Sequence, residues 1–74
     1  MDATDINVIG LDTDKIRKLR LAAKLTQAEA AARAKLTGPQ VWSDIEKGRR
    51  VNLTIEVLER VAAALGVKAR DLLK

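Results

Sequence analysis

Apolar residues recur at helical spacing along most of the chain, and the breaks fall where helix-stopping residues stand. Ile16, Leu19, Ala22 and Ala23 share one face of a helix predicted over residues 14–24, with Asp12 or Thr13 as its cap. Lys15, Arg17, Lys18 and Arg20 are expected mostly on its outer side. Thr26 opens a second helix over residues 27–34, and Glu29 stands three residues later to complete a capping box. The Ala-rich stretch behind it favours helix. The run Leu36, Thr37, Gly38, Pro39 then breaks the pattern. Pro39 suits the first turn of a new helix because it has no N–H to leave unpaired. That third helix, over about residues 38–47, has Val41, Trp42 and Ile45 on an apolar side and Gly48 as its stop. A fourth, over residues 54–66, carries Ile55, Leu58, Val61, Ala62 and Leu65 on a core face. A short fifth, over residues 69–73, offers Leu72 and Leu73.

Residues 1–13 follow no helical period. Ile6, Val8, Ile9 and Leu11 form a short apolar run flanked by acids, too aliphatic for a solvated tail. The run reads as a strand or an extended arm that packs on the helical unit or pairs across a dimer. The expected division is an acidic and apolar arm over residues 1–13 and a helical domain over residues 14–74.

Three short stretches carry a likeness to a known family: Leu25-Thr26-Gln27, Ile45-Glu46-Lys47-Gly48 and Leu65-Gly66-Val67. With them the chain resembles the lambda-repressor/Cro-like helix-turn-helix family, also called the xenobiotic-response-element family, over about residues 15–74. The resemblance implies an all-α fold: a compact five-helix domain with a short N-terminal extended arm, binding double-stranded DNA. One spacing departs from the family. From Gln27 to Ile45-Glu46 the chain is one residue longer, and the extra residue falls within residues 35–38. Either Thr37 caps the third helix with Gln40 as box partner, or Gly38 caps it with Pro39 first in the helix.

Charge sharpens the picture. Residues 1–14 hold Asp2, Asp5, Asp12 and Asp14 and no Lys or Arg, a charge of −4. The other sixty residues hold 14 basic and 6 acidic side chains, a charge of +8. A basic body behind an acidic arm suits a polyanion binder. At 74 residues and with many Ala, core burial alone is marginal, which favours a homodimer. With no Cys, no disulfide or thiolate metal site supplements it. An N-terminus with four Asp and no cation is not expected to be a secretory signal, and no run approaches a membrane span. A cytoplasmic, nucleoid-associated protein is the expectation.

Roles within the third helix follow from major-groove docking, which needs an apolar inner side, polar groups outside and flanking phosphate contacts. Trp42 and Ile45 supply the inner side, with Trp42 a core anchor where the family usually has an aliphatic residue. Pro39, Gln40, Ser43 and Asp44 are the base-reading candidates. Gln40 leads, since its amide can pair with adenine N6 and N7, and Pro39 can pack on a thymine methyl. Asp44 can accept from cytosine N4, pair with Lys47 or Arg33, or mark a surface that reads a protein. Phosphate candidates are Gln27, which carries that role in the family, and Lys47, Arg49, Arg50 and Asn52 after the third helix. In the family pattern Glu46 is structural, accepting hydrogen bonds inside the fold or pairing with a cation such as Arg20. For a dimer contact, Val67, Leu72 and Leu73 are preferred, with residues 6–11 as the alternative.

The chain has no His, Cys or Tyr and no phosphate-cradling Gly loop, so no enzyme, cofactor or metal is expected. Two readings remain. The first is a dimeric, sequence-specific transcriptional regulator on a pseudo-palindromic operator. The second is a protein-interaction module on the same scaffold, an antitoxin half or anti-activator.

Overall fold

Four helices stop in the same way, and those stops set the architecture. The computed structural model describes residues 5–7, 11–49 and 52–73, with the side chains of 5–7 and 52 left aside. Among them run β1 (Asp5–Asn7), α1 (Thr13–Ala22), α2 (Gln27–Arg33), α3 (Pro39–Glu46), β2 (Asn52–Thr54), α4 (Ile55–Leu65) and a 3-10 turn (Ala69–Leu72). At each helix end one N–H reaches back to a carbonyl five residues earlier: Leu25 to Arg20, Leu36 to Ala31, Arg49 to Asp44 and Val67 to Ala62. The residue before each donor is left-handed, namely Lys24, Lys35, Gly48 and Gly66. Each end is a Schellman closure that satisfies the last carbonyls and turns the chain sharply.

The starts are equally local. Asp12 accepts from the Lys15 N–H at 3.1 Å, and Thr54 accepts from the Val57 N–H at 3.1 Å. At α2 the Thr26 hydroxyl accepts from the Glu29 N–H at 3.1 Å, while the Thr26 N–H donates to Glu29 Oε1 at 2.9 Å. This is the expected capping box.

Three expectations are corrected. The fifth helix is a single 3-10 turn, because four residues closed by bonds from the Asp71 and Leu73 N–H groups to the Lys68 and Arg70 carbonyls cannot propagate an α-helix. The fold is therefore four α-helices with a small sheet, mostly helical rather than purely so. Ala22 and Ala23 are exposed and Arg20 is buried. The inner line of α1 runs from Ile16 to Arg20, one turn apart, and the helix ends before Ala23. Ile55 is also exposed, since the first residue of α4 lies at the edge of the core.

The arm forms a strand over Asp5–Asn7, antiparallel to β2, with Ile6 opposite Leu53. Val8 and Ile9 lie outside the described residues. Further on, Leu11 bridges Leu73, and the Asp12 N–H donates to the Leu72 carbonyl at 2.7 Å. Both ends of the helical unit are thus tied together. The core gathers Ile16, Trp42, Ile45, Leu53, Val61 and Leu72, all fully buried. Ala30, Ala31, Ala34 and Ala62 are also buried, and their small side chains let α2 pack closely on α3 and α4. Among the described residues no helix is long and apolar enough to cross a membrane.

Candidate nucleic-acid interface

The pair α2–α3 packs together more extensively than any other two elements. Between them Ala34 ends α2, Lys35 turns left-handed, and Leu36 folds back against the core. Gly38 is the residue before α3 and Pro39 its first, with no side-chain cap bond. The alternative start at Thr37 is not the one adopted, and the longer turn is absorbed before Gly38.

The inner side of α3 is closed by Trp42 and Ile45, both 0% exposed. Trp42 thus occupies the core position expected of it. Its indole N–H still needs an acceptor, and Glu46, one turn on, supplies a carboxylate oxygen. The same carboxylate takes Arg20 of α1 in a fork: Nε to Oε2 at 2.7 Å and Nη2 to Oε1 at 3.2 Å. Arg20 Nη1 also donates to the Leu25 carbonyl at 2.9 Å. Arg20 therefore links the end of α1, the approach to α2 and the end of α3. The family pattern's structural role for Glu46 and its pairing with Arg20 are both present.

The outer side of α3 is narrower than expected. Pro39, Gln40 and Lys47 are exposed, and Asp44 is half-buried. Ser43 is only 8% exposed, which corrects its placement among the outward residues. It stands one residue after Trp42, next to the inner side of α3. The Asp44 carboxylate pairs with neither Lys47 nor Arg33; it accepts from Gln40 Nε2 at 2.9 Å. Ion pairs among the described residues are Arg20–Glu46 and Arg60–Glu56.

The phosphate candidates divide. Gln27, first in α2 and half-buried, and Lys47, just past α3, line one cleft of about 490 Å³ with Asp14, Arg17, Arg20 and Glu46. Since Arg20 and Glu46 neutralise each other, the remaining charge there is Arg17 and Lys47 against Asp14. Arg49 is exposed beyond α3. Arg50 lies outside the described residues, and only the backbone of Asn52 is described, in β2. Arg17, expected only among the outward residues of α1, is not a phosphate candidate from the sequence; the cleft adds it. Arg17 stands three residues before Arg20, which places the two on one face of α1.

The Thr26 box has an electrostatic consequence. Bonds from the Thr26 N–H and hydroxyl group hold the Glu29 carboxyl below its ordinary pKa, with a smaller pull from Arg33.

A sequence model of the helix-turn-helix domain family matches residues 14–74. Two solved structures are similar, each with 28% identity and a TM-score of 0.76 over 86% of this chain. One is a complex of the SinR and SinI proteins, of whose matching chain this one spans 61%. The other is SinR, the master regulator for biofilm formation, in complex with DNA, matched over 100% of that chain. No curated protein matches.

Proposed function

The chain belongs to the helix-turn-helix domain family, and from that premise we propose a sequence-specific transcriptional regulator that acts as a dimer on a pseudo-palindromic operator. Each protomer lays α3 in the major groove, and the two helices enter successive grooves about 34 Å apart. Residues 14–74 form the DNA-engaging unit, with residues 1–13 as an arm. The observation that carries the reading is the exposed Gln40–Asp44 edge of α3 beside a cleft that gathers Gln27, Arg17 and Lys47. Base-edge chemistry and backbone-gripping chemistry thus lie side by side, as docking requires. The likeness to SinR bound to DNA supports it. Gln40, Asp44 and Pro39 face the bases; Gln27, Arg17, Lys47, Arg49, Arg50 and Asn52 hold the backbone.

One short helix reads few base pairs, hence the dimer. Leu72 is fully buried and unavailable as a contact, whereas Leu73 is 43% exposed and Val67 half-buried. The dimer contact is proposed there. Selection of bound sequences from random duplex DNA, followed by sedimentation on half and full sites, tests the reading. A two-fold repeated motif bound by two protomers is expected. A lone protomer binding a half-site as tightly as the full site would exclude the dimer, and absence of any enriched sequence would exclude the DNA reading. That last result would favour a protein partner at α3, a reading to which the Asp44 carboxylate lends support; one of the similar structures is a complex of SinR with a protein, SinI.

A further inference from the structure

The hydrogen bond on the outer face of α3 limits what Gln40 can read, an inference that rests on the DNA-binding function proposed above. Gln40 Nε2 donates to Asp44 Oδ1 at 2.9 Å, one helical turn on. An ionised carboxylate only accepts, so the amide must present its nitrogen to Asp44 and not its oxygen. One of the two amide N–H groups is consumed. Gln40 keeps one N–H and its Oε1 for the groove.

That remainder matches one purine and not the other. The adenine edge offers an acceptor, N7, beside a donor, the N6 amino group. Guanine offers two acceptors, N7 and O6. A free glutamine amide can turn both N–H groups toward them, but one tied to Asp44 has a single N–H left and sets its oxygen against O6. We propose that Asp44 is a positioning residue that restricts Gln40 to adenine. The cost of a carboxylate facing a polyanion is borne on every sequence, and the gain is rejection of guanine at one base pair.

The test uses the full chain and three variants, Gln40→Ala, Asp44→Ala and Asp44→Asn, with helix content by circular dichroism as the folding control. Random-duplex selection comes first, then anisotropy titrations on duplexes carrying A·T or G·C at the pair whose preference Gln40→Ala abolishes. Asp44→Ala should lose adenine-over-guanine discrimination at that same pair by about tenfold, within the range of one bidentate contact. Its binding to random duplex should be as tight as the parent's or tighter. Asp44→Asn should fall between the parent and Asp44→Ala, because its amide can accept the same bond through Oδ1 or turn and donate to Gln40 Oε1 through Nδ2. Unchanged discrimination in Asp44→Ala, or a preference altered at a different base pair, overturns the proposal; the second result would make Asp44 itself a cytosine reader. Parent protein that enriches no sequence overturns the DNA-binding reading as well, so the two failures are told apart.

Discussion

Replacing Glu46 by leucine should remove most of the protein's folding stability, although the new side chain fills much of the same volume. The Glu46 carboxylate accepts from Arg20 Nε at 2.7 Å, from Arg20 Nη2 at 3.2 Å and from the Trp42 indole N–H. The Arg20 and Glu46 side chains are 11% and 4% exposed, so water does little to relieve a missing partner. In the variant Arg20 keeps only the Leu25 carbonyl. Stranding one member of a buried pair costs about 3–5 kcal/mol, and an orphaned indole N–H about 1–3 kcal/mol. Both losses pass through one carboxylate and do not add, so about 4 kcal/mol is the working figure. Total stability of a domain this small is about 5 kcal/mol or somewhat more. Urea titration followed by far-UV circular dichroism, with Trp42 emission as second probe, reads the loss. The double variant Arg20→Met with Glu46→Leu should regain about 2 kcal/mol, because both charges leave together. Two results would refute the reasoning: a Glu46→Leu variant within about 1 kcal/mol of the parent, or a double variant no more stable than the single one.

Other consequences are open to the same assays. Trp42→Ala should cost roughly 3–5 kcal/mol, lowering the urea midpoint of helical circular dichroism and weakening DNA binding in step; binding lost with that midpoint unchanged would contradict its core role. Lys24→Gly and Lys35→Gly, each at a left-handed position, should raise stability by about 0.5–1 kcal/mol, read as a higher thermal midpoint. Arg17→Ala and Arg49→Ala should each weaken binding to all duplexes alike and lower the salt dependence by about one released counterion; a sequence-selective loss would argue against backbone contact. Glu29 has a folded pKa below its unfolded one, so its stabilisation is complete above the ordinary carboxylate pKa of about 4.3 and is lost as pH falls through the lowered value. Acid titration of Glu29→Gln should accordingly show a shallower decline over that range than the parent.

What could be read from the sequence was what is decided within a few residues. Thr26 and Glu29, Gly38 and Pro39, and Gly48 and Gly66 mark starts and stops through bonds that span a single turn, and the four α-helices fall within two residues of expectation at either end. The left-handed Lys24 and Lys35 carry no such mark, since a lysine tolerates that conformation without preferring it. Arg20 was misplaced because its burial depends on a partner 26 residues away; periodicity sees only that a cation interrupts an apolar face. Ser43 is buried too, and its exposure likewise depends on packing from outside its own helix. At the site, the Gln40–Asp44 bond spans one turn and was within reach of the sequence. The grouping of Gln27, Arg17 and Lys47 required three helices to be placed first.

Arg20 also acts as a caliper. It grips the Leu25 carbonyl, two residues before Gln27, and the Glu46 carboxylate, next to Lys47. The gap between these two groups, both proposed to hold the DNA backbone, is therefore set by one rigid, planar guanidinium, deep enough that salt screens it little. On the DNA-binding reading proposed above, the duplex would meet a jaw already set to width, with little ordering entropy left to lose on contact. A lysine at position 20 would keep the charge but not the fork. Its expected signature is a looser jaw: slower productive encounter and a larger entropic penalty on binding, in a protein that still folds and still carries every group that touches the duplex.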